Sequence, residues 1–328
     1  MQATLIYNPN SGGIAQTSPE QLTEALHRAG YNPIYQATSS ENDLDPILAE
    51  ARGLVVSAGG DGTLRAVATR LVGKPVGLAV LPLGTANNVA RTLGVEGSPE
   101  ELIARLNQPV RLGFDMGVVS APWGQDYFLE AFGYGLYADV LAAYEPEKGK
   151  SVLRSFSAIT QILPGYSVHQ PVVQVDGEDI SNGYLLFELL NTTAFGPRVK
   201  LAPQADPGDG WLEVVAVRED NRDSLLAYAG SLLSEALADL PSVEVRRARC
   251  AEIEWTGEFS FHLDGEVRPW VEPEPGEDKA PEPDKTPHTE LQAGGQVRVE
   301  ILPKALEFWL PRPADPEPDE SPAEQAAP

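Results

Sequence analysis

The residue types that could do chemistry fall in a few short turns. Val55-Val56-Ser57-Ala58 runs apolar into Gly59-Gly60-Asp61-Gly62-Thr63-Leu64, three glycines around one carboxylate with a helix-like stretch behind them. Glycines let backbone N–H groups come close to a ligand, and a helix N-terminus favours an anion such as phosphate. A carboxylate where phosphates would sit calls for a cation or a transferable proton beside Asp61. Two companion turns also follow apolar runs. Asn8-Pro9-Asn10-Ser11-Gly12-Gly13 stands behind Thr4–Tyr7, and Pro82-Leu83-Gly84-Thr85-Ala86-Asn87-Asn88-Val89-Ala90-Arg91 stands behind Pro75–Leu81. The expectation is a turn that holds the phosphates of a nucleotide, with the rest of the chain bringing a phosphoryl acceptor to it.

Other candidates weigh less. Asp-Gly is a common turn pair, so the glycine turn draws its meaning from the strand before it, the helix after it and its two companions. Asp-Gly-Glu occurs twice, at 176–178 and 264–266, and the first copy reads as a plain hairpin turn after Val172–Val175. Asp206 and Asp209 lie in a Pro/Gly-rich loop, where carboxylates are either solvated or oxygen ligands for a hard cation. Lys148-Gly149-Lys150-Ser151 resembles the end of a P-loop, but Glu145 stands where its first glycine would be. His27, His169, His262 and His288 have no metal-ligand spacing. The single cysteine, Cys250, excludes an intrachain disulfide and a cysteine-rich zinc site, and reads as a packed thiol.

These turns need elements to hold them. Residues 19–29 carry apolar residues at helical spacing behind a Ser18-Pro19 start, and 42–50 and 64–72 read as further helices. With strands at 4–7, 31–37, 54–57 and 75–81, the first 109 residues read as an α/β domain around a parallel sheet, whose strand ends would gather all three turns. From Val110 onward short β-like runs predominate: 110–119, 127–132, 172–175, 184–190, 211–217, 243–245, 251–255 and 258–263. This half, 110–310, reads as a mainly antiparallel β-sandwich-like domain with helices at 151–163 and 224–240. Gln296–Leu302 and Ala305–Leu310 follow as late runs that pair back into one of the domains. The active site is expected in the cleft between the two.

The 328 residues are 42% apolar and carry a net charge of −24, which argues against a general nucleic-acid binder and against adhesion to anionic lipid. Residues 271–290 contribute seven acids and two lysines, and 311–328 five acids and one arginine. A Pro/Glu/Asp-rich insertion over 271–295 and a tail over 311–328 therefore read as solvated disorder. No apolar run is long enough to span a membrane and the start is not signal-like, so a cytoplasmic location is expected.

The turns at Asn8, Gly59 and Pro82, the Ala202–Val215 stretch and the late His262-Leu263-Asp264-Gly265-Glu266 together resemble the diacylglycerol kinase catalytic-domain family, which includes bacterial lipid kinases and sphingosine and ceramide kinases. The motifs span residues 8–266 in order; Gly-Gly-Asp-Gly alone would fit NAD kinases or 6-phosphofructokinases as well. The resemblance implies ATP contacts from Asn8, Pro9, Asn10, Ser11 and Gly12, from Gly60, Asp61, Gly62, Thr63, Leu64, Arg65 and Ala66, and from Thr38 and Thr85. It implies Mg²⁺ near Asp61 with the nucleotide, and a structural Mg²⁺ at Asp206, Asp209 and the Trp211 carbonyl. It implies Glu266 as proton acceptor with Asp264 beside it. The lipid is expected to be met transiently at the inner membrane surface, and a homodimer through the β half is one option that the sequence leaves open. A small basic patch at Arg246, Arg247 and Arg249 is one means of reaching membrane.

Two residues depart from the pattern. Asn88 stands where many relatives have aspartate, and Glu130 where asparagine is common. An amide cannot supply a carboxylate's charge, so a network linking Asp61 and Asp115 is expected to be weakened. The leading expectation is an ATP- and Mg²⁺-dependent lipid kinase. The competing ones are a soluble-substrate kinase of the NAD-kinase type, from the shared glycine turn, and a nucleotide- or lipid-binding module that has lost transfer, from Asn88.

Overall fold

The computed structural model describes residues 1–9, 17–36, 38, 40–143, 166–196, 198–220, 228, 231, 237–269 and 294–313. The helix expected over 151–163 lies outside these residues, as do Asn10, Ser11, Gly12, most of the acidic insertion and most of the tail.

The first part alternates as its periodicity requires. β1 (Gln2–Tyr7), α1 (Pro19–Arg28), β2 (Asn32–Tyr35), α2 (Leu44–Glu50), β3 (Leu54–Gly59), α3 (Asp61–Leu71), β4 (Gly77–Pro82), α4 (Asn88–Thr92) and α5 (Pro99–Arg105) succeed one another. Ser18 caps α1 through a capping box with Gln21, with Pro19 in the first turn, and Ser98, Pro99 and Glu101 repeat that start on α5. The strands lie parallel in the order β2-β1-β3-β4. β3 is buried along its whole length, as a parallel strand covered on both faces should be.

The second part begins at β5 (Val110–Ala121) and continues through β6 (Gly124–Phe128), β7 (Ala131–Gly135), α6 (Leu136–Ala143), β8 (Val173–Val175), β9 (Glu178–Asp179), β10 (Tyr184–Leu190), β11 (Ala194–Phe195), β12 (Val199–Lys200), β13 (Leu212–Arg218), β14 (Val243–Ala248), β15 (Cys250–Trp255), β16 (Phe261–Leu263), β17 (Glu266–Arg268) and β18 (Gly295–Leu310). An antiparallel sheet in the order β14-β13-β10-β7-β16-β17 packs one face on the strands around β15 and β18. Phe132, Tyr134, Phe187 and Phe261 from that sheet meet Val119, Ile253, Val297 and Val299 in a sandwich core. Its other face is covered by Leu136, Tyr137 and Val140 of α6.

Three features differ from the sequence expectation. The two late runs form one 16-residue strand, β18, which pairs antiparallel with β15 and β5 and, at Glu307 and Phe308, parallel with Gly77 and Leu78 of β4. A register shift between Leu302 and Leu306, with Lys304 at φ 51°, lets it turn from one partner to the other. One ten-stranded sheet therefore runs through both halves of the chain. The run expected over 127–132 is broken at Leu129 and Glu130, whose N–H groups leave the ladder for Asp264. Of the helix expected over 224–240, the described residues show helix at Tyr228 and Ser231 and a 3₁₀ turn at Leu237–Asp239.

Candidate active site

The glycine turn is built by close backbone approach. A Cβ on Gly84 would lie 2.4 Å from the Gly60 Cα, so the exits of β3 and β4 touch in a way only glycine permits. A Cβ on Gly62, in the first turn of α3, would meet nothing within 4 Å, so the helix start is open to a ligand. Asn8, leaving β1, donates from Nδ2 to Thr63 Oγ1 at 2.8 Å and from its backbone N–H to Ala58 O at 3.0 Å. All three strand exits thus converge on the start of α3. Thr38 is half-buried on the same part of the chain, beyond β2.

Asp61 does not project freely. Its Oδ2 accepts the Asn87 N–H at 2.7 Å, and the Asn88 and Val89 N–H groups also favour its charged form. It therefore answers the positive end of α4. Burial nevertheless pushes its pKa up, and the Asp264 carboxylate nearby adds to the rise.

Asp264 faces it from the other half of the molecule. Asp264 (φ 50°) and Gly265 (φ 82°) form the turn between β16 and β17. The Asp264 carboxylate accepts N–H groups of Leu129 at 2.9 Å, Glu130 at 2.8 Å and Ala131 at 3.0 Å. Arg65, four residues beyond Asp61 on α3, bridges the cleft: Nη1 is 2.7 Å from Glu266 Oε2 and Nε is 3.5 Å from Asp264 Oδ2. Glu266 is 37% exposed and takes a second guanidinium, Arg268, at 3.2 Å. The helix behind the glycine turn and the Asp264–Glu266 turn are therefore in direct contact. Arg65, assigned to nucleotide contacts by the resemblance, has its guanidinium on Asp264 and Glu266.

Asn88 and Glu130, the two departures, touch each other. Asn88 Nδ2 donates to Glu130 Oε2 at 2.8 Å and to Gly196 O at 2.9 Å. Glu130 is buried and its pKa is raised, first by burial and then by the Asp61 and Asp264 charges. The Asp115 carboxylate accepts the N–H groups of Gly210 at 2.6 Å and Lys304 at 2.7 Å, tying the 206–211 loop to β18. No sequence signal marked Asn88 and Glu130 as partners, because they are 42 residues apart.

The loop expected to hold a structural cation is already neutralised in part. Asp206 accepts the Gly208 N–H at 3.0 Å and Asp209 the Trp211 N–H at 3.0 Å, while Arg247 pairs with Asp209 at 2.5 Å and with Glu213 at 2.8 Å. Among the described residues no group of three or more His, Cys, Asp or Glu could hold a metal ion. Arg247 thus shares the Asp209 carboxylate, while Asp206 and Asp209 both lie near Asp115 and help to raise its pKa, burial being the larger cause. The basic patch is also spent internally: Arg246 pairs with Glu178, and Arg249 lies 4.2 Å over the Trp211 ring.

Comparison with known proteins gives this arrangement its class. Residues 2–119 match the diacylglycerol kinase catalytic domain, and residues 141–280 match the YegS C-terminal NAD kinase beta sandwich-like domain. A diacylglycerol kinase of Bacillus subtilis (strain 168) is 28% identical over 281 residues, covering 81% of this chain and 89% of that protein. One from Staphylococcus aureus (strain bovine RF122 / ET3-1) is 28% identical over 281 residues, covering 81% and 86%. The crystal structure of a diacylglycerol kinase from Bacillus anthracis str. Sterne superposes with a TM-score of 0.61 at 16% identity, covering 94% of this chain and 96% of that one; it supports the fold. The chain is a kinase of two parts, an α/β nucleotide-type domain and a β sandwich. It belongs to the diacylglycerol kinase catalytic-domain family, a family of lipid kinases.

Proposed function

We propose that this kinase transfers the γ-phosphoryl group of ATP to a hydroxyl of a diacylglycerol-like lipid alcohol. The observation that carries the reading is the 2.7 Å bridge from Arg65 on the glycine-turn helix to Glu266 on the acceptor hairpin, which sets donor and acceptor machinery against each other. ATP phosphates would lie against the open start of α3 at Gly60–Thr63, with Asn8 and Thr85 beside them. The acceptor hydroxyl would lie at Glu266, which orients it and takes its proton, with Asp264 fixing the turn. Asp61 is the carboxylate that would face Mg²⁺ carried in with ATP, whose chemistry is to spread the charge of the transferring phosphoryl. Residues 1–109 would be the nucleotide domain and 110–310 the lipid domain. The enzyme would work in the cytoplasm and meet its lipid at the inner membrane surface. Among the described residues no helix is long and apolar enough to cross a membrane.

The test is purified protein with labelled ATP, Mg²⁺ and a panel of dioleoylglycerol, sphingosine, ceramide and NAD. Labelled phosphatidic acid is expected. Phosphorylated NAD with no labelled lipid would overturn the reading, and ATP binding without any product would indicate a binding module instead.

A further inference from the structure

A second connection, independent of Arg65, joins the two carboxylate-bearing turns. Asp61 holds the start of α4 through the Asn87 N–H at 2.7 Å. The next residue, Asn88, is 2% exposed and reaches across the cleft to the Glu130 carboxylate and the Gly196 carbonyl. Glu130 then uses its own N–H to hold Asp264 at 2.8 Å, and its carbonyl accepts the Asn191 N–H at 2.8 Å. From Asp61 to Asp264 the path is one helix start, one amide, one carboxylate and one peptide group.

The chemistry of that path is directional. Both hydrogens of Asn88 Nδ2 are used on oxygen acceptors, while Oδ1 has no partner among the described residues. Flipping the amide would aim Oδ1 at two oxygens, so the hydrogen-bond network fixes its orientation. Glu130 is 4% exposed and shows no basic partner among the described residues; the Asn88 amide and the Gly196 N–H favour its charged form, while burial and the nearby Asp61 and Asp264 carboxylates oppose it. Burying a carboxylate there is costly, and an apolar pair of similar size would pack the interface more cheaply but would not fix distance and direction.

We propose that Asn88 and Glu130 are a matched pair of positioning residues that sets the nucleotide turn at Asp61 against the acceptor turn at Asp264–Glu266; this rests on the kinase reading above. The side chains of the pair bond to each other and to Gly196, not to the Gly60–Thr63 turn. The pair therefore acts on the alignment of donor and acceptor, which appears in kcat, and not on the affinity for ATP.

The polarity of the pair makes it testable by exchange. Asn88→Asp removes the donor from both contacts and leaves an oxygen facing the Gly196 carbonyl, and Glu130→Gln added to it supplies a donor facing back from position 130. The full chain is assayed with MgATP and dioleoylglycerol in mixed micelles as wild type, Asn88→Asp, Glu130→Gln and the double variant. Asn88→Asp is expected to lower kcat ~10²-fold, the scale of a small misalignment, with the KM for ATP moved by less than about threefold. The double variant should recover at least about tenfold over Asn88→Asp, since contacting residues are not additive. Hydrogen exchange at the Leu129, Glu130 and Ala131 amides should quicken in Asn88→Asp and slow again in the double variant. That readout needs no substrate, so a wild type inactive on lipid would overturn the kinase reading while the pair is still judged by exchange. Wild-type kcat and exchange in Asn88→Asp would overturn the pair. So would a folded double variant no better than Asn88→Asp, or equal losses of ATP affinity and kcat. If Asn88→Asp fails to fold, Glu130→Gln alone decides: faster exchange at 129–131 with reduced kcat supports the pair, and wild-type values overturn it.

Discussion

Arg65 is the residue on which the two turns meet, because it carries a guanidinium from the helix that starts at Asp61 to the carboxylates of Asp264 and Glu266. Arg65→Ala should lower turnover ~10²-fold, as expected when donor and acceptor lose register, and steady-state kinetics at saturating ATP would show it. Lysine at 65 should recover only part, since an ammonium cannot fork between two carboxylates. Asp61→Ala should abolish transfer, whereas Asp176→Ala should leave it nearly intact; equal losses would mean that the wrong Asp-Gly-Glu copy or the wrong site had been assigned. Glu130 makes a prediction of a different kind. Its pKa is raised in the folded protein, so the native state keeps a proton that the unfolded chain has already released. Between the ordinary carboxylate value and the raised one, the native state binds more protons, and stability falls as pH rises through that window. Glu130→Gln should flatten that fall, which melting temperatures of wild type and variant measured from acid to neutral pH would reveal.

The two Asp-Gly-Glu turns are the same element in two settings. Asp176 and Asp264 have φ of 49° and 50°, and Gly177 and Gly265 both 82°, the positive-φ pair that a two-residue hairpin turn favours. What separates them is the neighbours. Asp176 accepts the N–H groups of Arg249 and Cys250 at the start of β15, whereas Asp264 takes three N–H groups from the break between β6 and β7 and faces Arg65. That difference explains what was legible in the sequence. The strand, glycine turn and helix at Gly59–Thr63 and the helix start at Ser18 are written in adjacent residues, so local pattern sufficed. The break at Leu129–Glu130, the Asn88–Glu130 contact and the partners of Asp115 depend on residues 42 to 189 positions away, where periodicity carries no information. The contact of Gly60 with Gly84 gives the element-scale prediction. Gly84→Ala would press a methyl group onto backbone, costing about 1–3 kcal/mol as overpacking does, and urea denaturation should show a lower midpoint with an unchanged slope.

At the scale of the molecule, β18 unites the halves by lying between β4 and β15 in one sheet. Truncation after Gly294 should therefore destroy the cooperative melt of the whole chain, while truncation after Pro313 keeps every described strand and should leave the melt in place; circular dichroism on heating distinguishes them. The same strand has a consequence in time. The edge of β4 that accepts Glu307 and Phe308 emerges from the ribosome about 230 residues before its partner, a delay of roughly 10–45 s at ordinary rates of synthesis. Through that interval the nascent nucleotide-type domain carries an unpaired central edge, so the chain's exposure to mispairing is greatest before its last strand arrives. A folding factor that shields strand edges would act on this protein during synthesis, and its need would fall once residue 310 has left the ribosome.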